Sequence, residues 1–99
     1  MKKSLNELRD EAWANAEAHG FHEEPINFAE RLMLVVSELA EALEAHELHL
    51  QGRVEDEIAD ALIRILDLAG IYKVDLEFHV AAKMQYNEGR PYKHGKKYG

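Results

Sequence analysis

Two acidic couplets with the same spacing, Glu38-x-x-Glu41 and Glu57-x-x-Asp60, carry the clearest chemistry in this chain. On a helix, a three-residue step keeps two side chains on one face, roughly 60° apart and ~4.5 Å along the axis. Two such helices folded back on each other would bring four carboxylates together. Four like charges in one place repel strongly unless a hard cation sits among them. An all-oxygen set selects Mg²⁺, Mn²⁺ or Ca²⁺ over softer metals, and Mg²⁺ is the expectation here. A di-iron bundle would need Glu-x-x-His pairs, and none of the six histidines stands three residues after a Glu. One E-x-x-E occurs by chance in any acidic helix. Two couplets on consecutive helices, each beside an apolar stripe, point to a metal-dependent enzyme.

A second set of residues would suit an anion. Leu76 and Val80 set the expected buried face of the last helix, and the same face carries Lys83, Asn87 and Arg90. Lys and Arg are rarely buried without a partner. Two partners are open: the carboxylates themselves, or a phosphate chain bridged to them by metal. For recognition of a base, Trp13, Phe21 and His22 offer an aromatic wall and Asn27 an amide, although Trp13 reads first as core and Asn27 first as a helix cap. Arg64, four residues after Asp60 and three before Asp67, is expected to form ion pairs along its own helix. His46 and His49 face a loop and do not read as a metal site.

Four helices must position these groups. The first is expected over about Ser4 to Ala18, with Ser4 and Glu7 as a capping box and Gly20 as its stop. The second runs from Asn27, a side-chain cap, to about Leu48, and Gln51-Gly52 breaks the pattern. The third covers roughly Val54 to Tyr72, and the fourth runs from Asp75 to about Asn87, closed by Gly89 and Pro91. No period-2 segment exists, so the expectation is an all-α four-helix bundle. On the second helix Leu32, Val35, Val36, Leu39 and Leu43 form an apolar stripe, with Glu38 and Glu41 off it. Leu34 and Ala45 flank the two acids on nearly the same bearing, as in a walled site or a subunit contact. On the third, Ile58, Leu62, Ile65 and Ala69 are expected to face the core, beside a polar stripe of Glu57, Asp60, Arg64 and Asp67. About a dozen residues between the couplets allow an antiparallel turn.

With 99 residues the chain reads as a single domain over 1–99 with a modest core, so helix packing or oligomerisation should supply much of its stability. There is no cysteine, which excludes disulfides and thiolate metal sites and fits a reducing cytoplasm. No apolar run approaches the ~20 residues of a membrane span, and the opening Met-Lys-Lys-Ser-Leu-Asn-Glu leads into an amphipathic pattern instead of a signal peptide. The net charge of −7 argues against nucleic-acid binding. From Lys83 onward, five basic residues face Glu88 alone, a local balance of +4 that leaves −11 on the rest. The basic tail at 89–99 is either a docking arm for an anion or a solvated segment.

The stretch Leu32-Met-Leu-Val-Val-Ser-Glu-Leu-Ala-Glu-Ala, followed by Glu57-Ile-Ala-Asp, resembles the MazG-type all-α nucleoside triphosphate pyrophosphohydrolases, in their short single-domain form. So does the closing run Lys83-Met-Gln-Tyr-Asn-Glu-Gly-Arg-Pro-Tyr-Lys-His-Gly-Lys-Lys. The likeness covers about Asn27 to Lys97. It implies Mg²⁺-dependent cleavage of a (deoxy)nucleoside triphosphate between the α and β phosphates, giving a nucleoside monophosphate and pyrophosphate. It also implies metal ligation by Glu38, Glu41, Glu57 and Asp60, and phosphate binding by Lys83, Asn87 and Arg90. Lys93, His94 and Lys96 fit the motif of the short members, with Lys93 and Lys96 expected at the phosphates. A dimer or tetramer with its site near a subunit interface is implied as well. Glu41, with Glu38, is the expected catalytic carboxylate that orients the attacking water. Phosphoribosyl-ATP pyrophosphohydrolases share the acidic motif but match the closing run less well. A helical oligomer that binds nucleotide or Mg²⁺ without turnover is the non-enzymatic alternative.

Overall fold

The computed structural model describes residues 2–92 and consists of four helices: α1 (Leu5–Ala18), α2 (Phe28–Glu47), α3 (Gln51–Ile71) and α4 (Leu76–Glu88). Among the described residues there is no strand, and the architecture is all-α. Three helix starts lie where local chemistry puts them. Ser4 and Glu7 form a reciprocal capping box at α1, and Asn27 Oδ1 accepts the Glu30 N–H at 3.0 Å at α2. Asp75 Oδ1 does the same for Phe78 N at 3.1 Å at α4.

The turn between α2 and α3 is tighter than expected. Gln51 and Gly52 do not break the chain; they form the first turn of α3. The reversal is made by His49, in the left-handed region at φ 60°, with Leu50 N donating to Ala45 O at 2.9 Å and His49 N to His46 O at 3.1 Å. That is a Schellman closure without glycine. Lys73 repeats it after α3 at φ 55°, and Gly20 after α1 at φ 82°.

α2 and α3 pack as an antiparallel hairpin, and α1 lies against α3. The Phe28 and Tyr72 rings meet edge to face at 5.2 Å, which ties the start of α2 to the end of α3. The core is built mainly from small residues: Ala16, Ala42, Ala45, Ala61 and Ala69, with Val35 and Leu66. Small side chains allow the helix backbones to approach closely. The tightest point is Gly70, where an added Cβ would come within 2.7 Å of Trp13 Cβ.

The apolar stripes fall elsewhere than periodicity suggests. Of Leu32, Val35, Val36, Leu39 and Leu43, only Val35 is buried, and Leu43 is 60 % exposed. On α3, Ile58, Leu62 and Ile65 are also exposed, and only Ala69 of the expected set is buried. The seam between α2 and α3 is instead Val35, Glu38, Ala42 and Ala45. Helical spacing puts Leu32, Val36, Leu39 and Leu43 of α2, and Ile58, Leu62 and Ile65 of α3, on the side of each helix away from its acid couplet.

The short link to α4 is pinned to α1. Asn6 Nδ2 donates to Asp75 Oδ1 at 3.1 Å, Asn6 Oδ1 accepts Leu76 N at 2.9 Å, and Arg9 Nη1 donates to Val74 O at 2.7 Å. Beyond that anchor α4 has no buried residue, and Phe78, Val80, Met84 and Tyr86 are exposed. The face carrying Lys83 and Asn87 is therefore not inward within one chain, contrary to the expectation from Leu76 and Val80.

Candidate metal centre

Antiparallel pairing of α2 and α3 brings Glu38 and Glu41 opposite Glu57. One carboxylate oxygen from each lies within 4.8 Å of the others. Glu38 is buried on the seam, Glu57 is half-buried and Glu41 is exposed. The three form a graded cluster, open on one side. Asp60, the fourth expected ligand, is exposed and is not among the three converging carboxylates. It lines the adjoining cleft instead.

Arg64 Nε donates to Glu38 Oε1 at 2.9 Å, so Arg64 pairs across the hairpin and not with Asp60 or Asp67 along α3. This guanidinium holds the Glu38 carboxyl below the ordinary carboxylate range, against the opposing effect of burial. Glu57 has no such partner. Its Oε2 is buried without a hydrogen bond, and Arg53 Nη2 stands 4.0 Å from Oε1, the limit of an ion pair. The neighbouring Glu41 and then Glu38 push the Glu57 carboxyl up to about 7. Three acids with one hydrogen-bonded guanidinium, and a second only at the 4.0 Å limit, leave Glu57 in need of a proton or a cation. The orphaned oxygen and the all-carboxylate donor set both fit a hard divalent ion.

Beside the cluster is a cleft of about 270 Å³ between α1 and the hairpin. Its floor and walls include Ala12, Asn15 and Ala16 from α1, Arg31 and Glu38 from α2, and Asp60, Ile63, Arg64 and Asp67 from α3. Phe21 closes one side. Arg31 Nη2 donates to the Phe21 carbonyl and so ties the loop after α1 to α2. His22 fixes the same loop to α3, with Nδ1 2.7 Å from Glu17 Oε1 and Nε2 2.9 Å from Asp67 Oδ1.

The remaining expected residues divide. Phe21 is at the cleft. Trp13 is packed on Gly70 and stacks on His22 at 5.3 Å, away from the cleft lining. Asn27 caps α2 and borders a second hollow that shares Phe21 and Arg31. Lys83 and Arg90 lie over the Tyr86 ring at 5.0 and 5.4 Å, and neither they nor Asn87 line the cleft. Lys93, His94 and Lys96 lie outside the described residues. Asn15 and Arg31 are cleft residues that sequence reasoning passed over. The small pair Ala12 and Ala16 beside Asn15 was the available signal, since small residues on one helix face leave room for a ligand or another backbone. Comparison with family models, curated proteins and solved structures gives no match for this chain.

Proposed function

We propose that the chain is a Mg²⁺-dependent nucleoside triphosphate pyrophosphohydrolase of the MazG-like class, yielding a nucleoside monophosphate and pyrophosphate. The observation that carries this reading is the convergence of Glu38, Glu41 and Glu57 beside a cleft that Glu38 also lines, with one buried carboxylate oxygen unpartnered. A bare structural cluster of three acids would cost stability with no return. The sequence likeness of both couplets and of the closing run supplies the reaction class.

Glu38, Glu41 and Glu57 would hold the ion, with Asp60 beside them on the cleft wall. Mg²⁺, when bound, neutralises phosphate charge and acidifies a coordinated water. Glu41 is the most open of the three acids and accepts the proton of the water that attacks the α phosphorus. Glu38 is held ionised by Arg64, and it keeps the neighbouring acids in register. Phe21 provides a face for the base, with the Asn15 amide near it. In the assembly, α4 brings Lys83, Asn87 and Arg90 to the phosphate chain, where cations stabilise the departing pyrophosphate. Lys93 and Lys96 extend that basic segment.

The assembly is a homodimer or tetramer. Support comes from the seven large apolar residues exposed on α2 and α3 away from the acid couplets and from the unburied α4, more apolar surface than a small monomer ordinarily leaves in water. The absence of cysteine agrees with work in a reducing cytoplasm.

The test is pyrophosphate release from a panel of ribo- and deoxynucleoside triphosphates, with Mg²⁺ and with EDTA. Monophosphate and pyrophosphate formed only with Mg²⁺, and lost on the order of 10²-fold or more in Glu41→Gln, is the expected result. No turnover of any triphosphate by folded, metal-loaded protein would overturn the reading in favour of binding without catalysis or of phosphoribosyl-ATP as substrate.

A further inference from the structure

Arg64 is in an unusual position. Among the described residues it is the only cation hydrogen-bonded to the acid cluster, with Arg53 standing 4.0 Å from Glu57; it bonds through Nε alone, and it also lines the cleft. Its Nη groups make no hydrogen bond with any described residue, and its side chain is 37 % exposed. A guanidinium normally meets a carboxylate side-on with two parallel bonds. Here the contact with Glu38 is the single bond nearest the stem, and the fork itself is left without a carboxylate.

We infer that Arg64 is an exchangeable counter-ion: it neutralises Glu38 in the metal-free protein, yields that carboxylate to Mg²⁺, and then presents its guanidinium to the phosphate chain in the cleft. This rests on the metal reading above and adds a specific positioning role to it. A guanidinium and a divalent cation drawn to the same carboxylate repel each other, so each weakens the other's hold on it. A phosphate chain in the cleft would compensate that release, because Arg64 already lines the cleft and its always-charged fork matches phosphate oxygens. One residue thereby links metal loading to substrate binding. Without metal, Arg64 is occupied by Glu38; with metal, it is available.

The consequence is that removing Arg64 has opposite effects on two ligands. In Arg64→Gln, affinity for Mg²⁺ alone should tighten by roughly threefold or more, because a competing positive charge is gone. Affinity of the Mg²⁺-saturated protein for inorganic tripolyphosphate, a probe without a base, should weaken on the order of tenfold or more. Titration calorimetry reads both. In the wild-type protein the Arg64 Nε–H resonance should shift as Mg²⁺ is added and shift again with tripolyphosphate, which requires no variant to fold. Magnesium binding that is unchanged or weaker in Arg64→Gln, or an Nε–H signal unmoved while Mg²⁺ binds, would overturn the exchange and leave the metal site standing. If the wild-type protein binds no Mg²⁺, the metal reading fails and the exchange with it.

Discussion

Glu57 is the residue on which the charge balance of this site turns. Its carboxyl is raised to about 7 by Glu41 and Glu38, so the folded chain holds a proton there that the unfolded chain gives up near 4.5. That contribution is fully present below 4.5 and is lost as pH climbs through about 7. Glu38, lowered by Arg64, works in the other direction: its contribution is present above 4.5 and is lost as pH falls below that value. Metal-free protein should therefore melt at progressively lower temperature between pH 5 and pH 8, and Mg²⁺ should cancel most of that decline. Thermal unfolding with EDTA and with Mg²⁺ across this range checks it. In Glu57→Gln the decline should vanish even in EDTA. A melting temperature that ignores pH in the wild-type protein would mean that the three carboxylates do not share one site.

At the scale of helices, two substitutions separate the roles of turns and packing. His49 is in a left-handed conformation that costs a side chain about 1–2 kcal/mol, so His49→Gly should stabilise the hairpin by up to about 1 kcal/mol in denaturant unfolding. Gly70→Ala should destabilise by about 1–3 kcal/mol, because its Cβ meets Trp13 at 2.7 Å. Helix starts were legible in the sequence because Ser4, Asn27 and Asp75 act on backbone groups three residues away. The α2–α3 turn was not legible, because His49 and Lys73 do what glycine ordinarily does, while Gly52 does nothing special. The acid couplets were legible for a similarly local reason, and their convergence followed from a short antiparallel turn. The seam was misread because spacing reports that a face is apolar but not what covers it. Alanines and Glu38 fill the intrachain contact, and the larger residues are left outside. Arg64 could reach either of two acids on its own helix, and only the packed hairpin shows that it chooses Glu38.

For the whole molecule, the exposed stripe Leu32, Val36, Leu39 and Leu43 with Ile58, Leu62 and Ile65 is the feature that one chain leaves unexplained. An alanine-rich seam gives a 99-residue chain little apolar burial, so stability should depend on a second copy covering this face. Leu39→Glu should shift the mass measured by light scattering from oligomer to monomer and lower the melting temperature. A wild-type protein that is monomeric at tens of micromolar would remove the assembly from the reading, along with the expected delivery of Lys83, Asn87 and Arg90 by α4. The most direct measurement concerns where water attacks. With Mg²⁺ and a turned-over triphosphate in ¹⁸O-labelled water, attack at the α phosphorus predicts label in the nucleoside monophosphate and none in pyrophosphate. Label in pyrophosphate, or release of orthophosphate in its place, would contradict a pyrophosphohydrolase built on Glu38, Glu41 and Glu57.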